Sequence, residues 1–254
     1  MNKFIGFSGG VESSTMCVLF GNTADAIFAD TGFEHQLIYD RIDLIETFCK
    51  NFHRPDFKIH RIKSKHGTLP EQILKYKLYP SFTSRFCTRE FKIDPIDNFL
   101  KQYENEGCEL MIGLNYDEQD RIDKQHGNKP YINYSYPLAE NKLNRGACIE
   151  ILKKVKLYPN FPPYMKRGGC IGCFYKSKKE YEAMAILNPL EFKIVEDLEN
   201  KLQLSFTVRD KFYTIKENIT MKQIREYALQ SLFNPDEVYA TINDATPCGV
   251  FCNR

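Results

Sequence analysis

No stretch of the 254 residues approaches the ~18 consecutive apolar side chains that a membrane-spanning helix needs. The opening Lys3-Phe4-Ile5-Gly6-Phe7 has no signal-peptide character and runs straight into a glycine loop, so a cytoplasmic protein with no membrane partner is expected. Internal repeats, low-complexity tracts and flexible linkers are missing too, which excludes repeat arrays and tethered modules. Charge of one sign is also scarce: 35 Lys and Arg against 33 Asp and Glu leave a net +2. That balance neither calls for nor excludes a nucleic-acid partner, and the basic clusters at 153–156, 166–167 and 176–179 read as solvated faces. At this length and with 43% apolar residues, the chain can bury a full core around a sheet.

Nine cysteines are present instead. In a reducing compartment a disulfide framework is not expected, and metal binding or redox chemistry becomes the alternative. Cys17, Cys49, Cys108 and Cys148 sit in apolar or helical stretches and read as buried core residues. Cys87, Cys170, Cys173, Cys248 and Cys252 keep different company.

The pattern of apolar residues alternates strand and helix. A short apolar run over 3–7 precedes glycines and a helically spaced segment, 12–20. A second strand is expected at 24–29, a helix over Gln36–Phe52 from Leu37, Ile38, Ile42, Ile45 and Phe48, and a half-buried strand at 57–62. This order implies a parallel sheet with right-handed crossovers. Further helices are expected at 68–77, 94–105, 143–155, 178–186, 189–201 and 221–229, with a buried strand at 109–114. The expected fold is α/β and Rossmann-like: a five-stranded, mostly parallel sheet with helices on both faces. Residues 1–165 are expected to form the nucleotide-binding part, and 166–254 a cysteine-bearing, mostly helical C-terminal region.

Ser8, Gly9, Gly10, Val11, Glu12, Ser13 and Ser14 join the first strand to the first helix. Adjacent glycines let backbone approach an anion, the serines add hydroxyl donors, and the helix start offers unpaired N–H groups at its positive end. The segment is a phosphate cradle without the Gly-Lys-Ser/Thr ending of a Walker loop. It resembles the Ser-Gly-Gly-x-Asp-Ser motif of the PP-loop ATP pyrophosphatase and phosphoadenylyl-sulfate reductase superfamily. Glu12 stands where that family commonly has Asp, and Val11 replaces a frequent Lys. Asp30-Thr31-Gly32-Phe33-Glu34 resembles its Asp-Thr-Gly-x-Glu segment, and Gly113 to Arg121 resembles its Gly-x-Arg-x-Asp-Glu-Ser-x-Arg segment, with Asn115 where an Arg is common. Tyr136-Pro137-Leu138 resembles a further piece. The resemblance runs in family order from residue 3 to about 180. It implies ATP with Mg²⁺ as cofactors, contacts from Asp30, Gly113, Asp117 and Arg121, and cleavage of the α–β bond to adenylate a substrate.

Cys170-Ile171-Gly172-Cys173 has the two-residue spacer that lets two sulfurs face one ion, and alone it leaves zinc, a cluster or a redox disulfide open. The stretch from Arg85 to Ile96 resembles the first cluster segment of iron–sulfur adenylyl-sulfate reductases, Cys-Cys-x-x-x-Lys-x-x-Pro-Leu, with Phe86 in place of its first cysteine. The resemblance implies a [4Fe–4S] cluster, with Zn²⁺ the alternative, on Cys87, Cys170 and Cys173. Cys248 or Cys252 is a candidate fourth ligand; otherwise an open iron binds sulfide. Three thiolates at ~2.3 Å from one metal centre is the geometry expected. The tail Pro247-Cys248-Gly249 also resembles the reductases' mobile nucleophile segment, which makes Cys248 a candidate catalytic thiolate; an unreactive tail is the alternative.

Three readings follow. The leading one is an adenylating sulfur-transfer enzyme whose acceptor is a nucleic acid or a small molecule. The second is a sulfonucleotide reductase using Cys248 and a thiol-redox partner. The third is a nucleotide-binding module of a phage or defence system without turnover. A homodimer is a further expectation.

Overall fold

The structure is a computed structural model that describes residues 1–123, 129–166, 168–205 and 214–230. Five strands form one all-parallel sheet: β1 (Asn2–Phe7), β2 (Asp25–Asp30), β3 (Ile59–Lys63), β4 (Cys108–Met111) and β5 (Ile132–Ser135). Their order is β3-β2-β1-β4-β5, so the chain winds outward from β1 in both directions, as in a Rossmann-like α/β fold. The register pairs Ile5 with Ala26 on one side and with Met111 on the other.

Alternation along the strands sends side chains to opposite faces. Phe4, Ile27, Ala29 and Leu110 join one cluster with Ile96 and Leu100 of the helix Asp94–Leu100. Ile5, Phe7, Ala26 and Phe28 join the other, with α1 (Val11–Phe20) and α2 (Gln36–Phe52). Within α2, Ile38, Ile42, Ile45 and Cys49 share one fully buried stripe, and each isoleucine contributes roughly 1.5–3 kcal/mol of burial. Cys17, Cys108 and Cys148 are buried as well.

The second cluster runs on across residue 165, taking in Tyr181, Met184, Phe192, Val195, Leu198 and Ile224. These belong to the helices Lys178–Leu187, Pro189–Ser205 and Met221–Gln230. Two carboxylates anchor that region. Glu199, pushed toward its neutral form by burial, accepts from the amide nitrogens of Ile215 (2.9 Å) and Met221 (2.6 Å), the latter opening the helix Met221–Gln230. Glu191 accepts from Gln36 N–H at 3.0 Å and from Asn188 at 2.9 Å, capping α2 from 155 residues away. Among the described residues no helix is long and apolar enough to cross a membrane.

Glu191 also meets Nδ1 of His35, the fully buried N-cap residue of α2, while His35 Nε2 has no hydrogen-bond partner among the described residues. A bare lone pair is cheaper to bury than a second N–H donor, so the ring is neutral. Burial, with Lys176 nearby, pushes its pKa down to about 4 despite the carboxylate. The folded pKa lies below the ordinary value of about 6.5, so this stability is present above pH ~6.5 and lost as pH falls toward 4. The expected loss over that window is about 3 kcal/mol in urea titrations. His35→Gln should flatten that dependence; an unchanged pH slope in the variant would rule the assignment out.

Candidate functional site

The loop between β1 and α1 lies where the strand order reverses, at the carboxyl edge on which open α/β sheets bind ligands. Gly9 takes φ +77°, and a Cβ there would stand 3.1 Å from Ile38 Cδ1. Gly10 is the N-cap of α1 in extended backbone (φ −75°, ψ 175°), and no side chain caps that helix. Ser8 and Ser13 close the loop on itself: Ser13 Oγ accepts from Ser8 N–H at 3.2 Å, lies 3.2 Å from Ser8 Oγ and donates to the Gly10 carbonyl at 3.3 Å. Arg41, buried on α2, donates to the Gly9 carbonyl (2.9 Å), the Ser14 hydroxyl (2.7 Å) and the Leu157 carbonyl (3.2 Å). Burial lowers its pKa to about 10, which still leaves it charged at neutral pH.

Glu12 does not face outward. Its buried carboxylate pairs with Arg145 at 2.5 Å and accepts from Asn115 Nδ2 at 3.4 Å. Asn115 is thus a buried link between the loops after β1 and β4. Gly113 backs the same junction, its missing Cβ 3.4 Å from the Glu12 carbonyl carbon and the Ser13 nitrogen. Asn115 then caps the short turn Tyr116–Glu118 through a box with Glu118. Asp117 is exposed, and Arg121 pairs with Glu118. Asp30 ends β2, where its Oδ1 accepts from Gly32 N–H and the Tyr39 hydroxyl, both at 2.8 Å.

The cysteine pair reaches this edge by crossing the β2–α2 loop. Cys170 forms an antiparallel bridge with Glu34, Ile171 N–H donates to the Phe33 carbonyl at 2.8 Å, and His35 N–H to the Gly169 carbonyl at 3.5 Å. Gly172 is obligatory: a Cβ would fall 2.2 Å from the Tyr79 hydroxyl and 2.7 Å from the Phe33 ring. Tyr79 holds the turn by donating to the Gly172 carbonyl at 2.5 Å, and Tyr181 donates to that of Cys173 at 3.0 Å. Cys170 Sγ donates to Glu34 Oε1 at 3.3 Å, and Thr31 Oγ1 donates to the same oxygen at 2.8 Å. Burial, and then the Glu34 charge, push the Cys170 thiol well up.

A narrow cleft of about 50 Å³ opens between these parts, lined by Ser8, Phe28 and Ala29 from the strand ends together with Glu34, Lys92, Cys170, Cys173, Tyr175, Lys176 and Glu180. Ser8, Cys170 and Cys173 therefore share one cleft; Asp30, Asp117 and Arg121 are not among its lining residues. Cys87 sits in the short helical turn Phe86–Thr88 against the same core that Cys170 touches. Among the described residues no three His, Cys, Asp or Glu side chains are grouped to hold a metal ion, so the expected set of Cys87, Cys170 and Cys173 is not closed. Cys170 instead points its sulfur at Glu34. Cys248 and Cys252 lie outside the described residues.

Three cations at this edge escaped the motif reading. Arg41 left a signal, since it falls on the apolar stripe of α2 between Ile38 and Ile42, where a charge has no place unless it is bonded. Arg145 left none, being one basic residue at a helix start. Lys176 belongs to a cluster read as a solvated face, yet it is only 5% exposed. The chain matches no protein-family model and no curated protein.

The two loop glycines should behave differently. Gly9→Ala places a side chain at positive φ against Ile38 and is expected to cost about 1–3 kcal/mol. Gly10→Ala meets only Ser8 Oγ at 3.5 Å and should be close to neutral in stability. Equal denaturation midpoints for the two variants would contradict the loop geometry.

Proposed function

We propose that the chain is an ATP-binding enzyme of the PP-loop type, in the phosphoadenylyl-sulfate reductase superfamily, that adenylates an acceptor, releases pyrophosphate and takes part in sulfur transfer. One observation carries this reading: Ser8, which opens the glycine loop leading to the uncapped start of α1, lines a single cleft with Cys170 and Cys173 at the strand-order reversal. The amides of a helix start and the Ser8 and Ser13 hydroxyls suit the phosphates of a nucleotide. The apolar wall of Phe28 and Ala29 suits its base.

In the step proposed, a nucleophilic atom of the acceptor attacks the α-phosphorus. The bond from that phosphorus to the bridging oxygen breaks, and pyrophosphate leaves with the electron pair. Mg²⁺ entering with ATP would offset the charge on the leaving group. Asp30 keeps Oδ2 uncommitted among the described residues for the nucleotide or that ion. Sulfur is favoured as the later cargo because Cys170 and Cys173 line the same cleft. The described residues supply no three-thiolate set, and no step is routed through a cluster.

Gly10→Val tests the loop, because it should leave the thermal midpoint near wild type while abolishing ATP binding in calorimetry. ATP bound equally well by that variant would refute the cradle. Wild-type protein given ATP and a mixture of candidate acceptors should yield AMP and pyrophosphate. Nucleotide bound without pyrophosphate points instead to a binding module, and sulfite released from adenylyl sulfate to a reductase. Iron and sulfide in anaerobically purified protein would show that a cluster forms with the help of Cys248 or Cys252; colourless protein with stoichiometric zinc would replace it with a zinc site.

A further inference from the structure

Lys176 follows the cysteine pair by three residues and is buried, with only 5% of its surface exposed. Its ammonium donates to the Tyr164 carbonyl at 2.5 Å, and no carboxylate lies within ion-pair distance among the described residues. An ammonium carries three donors, so two are left over in a site that water hardly reaches. The carboxylates of the same cleft are committed elsewhere: Glu34 accepts from Thr31 and Cys170, and Glu180 accepts from Ser177 N–H at 2.8 Å as the capping box of the helix Lys178–Leu187. Burial lowers the Lys176 pKa, while the charges around it, Glu180 first, raise it. A buried cation with no ion-pair partner is costly, and an anion entering the cleft would offset that cost. Lys176 lines the same cleft as Ser8.

Two cations beside the loop are committed to the protein itself: Arg145 is paired with Glu12, and Arg41 donates to the Gly9 and Leu157 carbonyls and the Ser14 hydroxyl. We propose that Lys176 is a phosphate-binding residue: its ammonium, in the cleft that Ser8 also lines, pairs with the phosphates of a bound nucleotide. This rests on the nucleotide reading above and adds to it the side chain that pairs with the phosphate chain. The pairing couples nucleotide binding to the cysteine turn, because Lys176 N–H donates to the Cys173 carbonyl at 2.9 Å.

The test compares wild type with Lys176→Met, Lys176→Gln and Lys176→Arg for binding of Mg-ATP, inorganic pyrophosphate and adenosine by calorimetry, with thermal midpoints of the ligand-free proteins as fold controls. Removing the ammonium should weaken ATP and pyrophosphate about ten- to a hundredfold, as loss of a charged hydrogen bond does, and leave adenosine within twofold. Lys176→Gln retains a donor for the Tyr164 carbonyl and keeps the test valid should the methionine variant misfold. Lys176→Arg should recover part of the affinity. The ligand-free methionine variant should melt at or above wild type, because an unpaired buried charge has gone. If wild type binds ATP and both neutral variants bind it within threefold as well, the lysine serves the thiols and this inference falls while the nucleotide reading stands. If wild type binds pyrophosphate but not ATP and the neutral variants lose it, the lysine keeps its role and the nucleotide reading falls. Wild type that binds neither sinks both.

Discussion

The Arg41 guanidinium, buried beneath α2 and bonded to the Gly9 carbonyl, the Ser14 hydroxyl and the Leu157 carbonyl, fixes the shape of the glycine loop. Hydrogen bonds from a charged donor contribute about 1.5–3 kcal/mol each, and their loss would strand a carbonyl and a hydroxyl in the core. Burying a guanidinium away from carboxylates is costly, and here main-chain dipoles and one hydroxyl do the compensating. The positive φ of Gly9 follows from the same arrangement, because the loop must turn its carbonyl toward α2. A loop fixed in this way spends little ordering entropy when an anion enters.

Around that centre, contacts of very long sequence separation tie the carboxyl edge together. Glu191 caps α2, Glu12 links the loops after β1 and β4 through Asn115 and Arg145, and the Glu34–Cys170 bridge lays the cysteine turn over the end of β2. The Glu191 cap and the Glu34–Cys170 bridge draw on segments beyond residue 165, while the Glu12 link lies within the first 165 residues. Described residues on both sides of 165 therefore build this edge.

Local periodicity made most of this fold legible. The helix Gln36–Phe52 has its observed bounds in the apolar spacing, and the strands at β1 to β4 fall within two or three residues of their expected places. The fifth strand, Ile132–Ser135, is four residues long with only Ile132 buried, too little alternation to stand out from the surrounding turn residues. The glycine loop was legible because its chemistry is contiguous. The cysteine site was legible only in part: the Cys170–Cys173 spacing is local, but which way the Cys170 sulfur points depends on Glu34, 136 residues earlier. Asp117 and Arg121 are expected as nucleotide contacts from the resemblance alone; Asp117 is exposed on the capped turn, Arg121 in the helix Gln119–Ile122 is paired with Glu118, and neither lines the cleft. Lys176 was hidden because composition reports charge and not burial.

The bridge between Glu34 and Cys170 has a mechanical consequence. A cleft of about 50 Å³ is smaller than a nucleotide, so under the nucleotide reading proposed above its walls would have to part. The β2–α2 loop cannot swing out alone, because the His35 and Ile171 amides stitch it to residues 169–171. On that reading the two segments would move together and carry Cys170 with them, so that opening the cleft and displacing that thiol would be one movement.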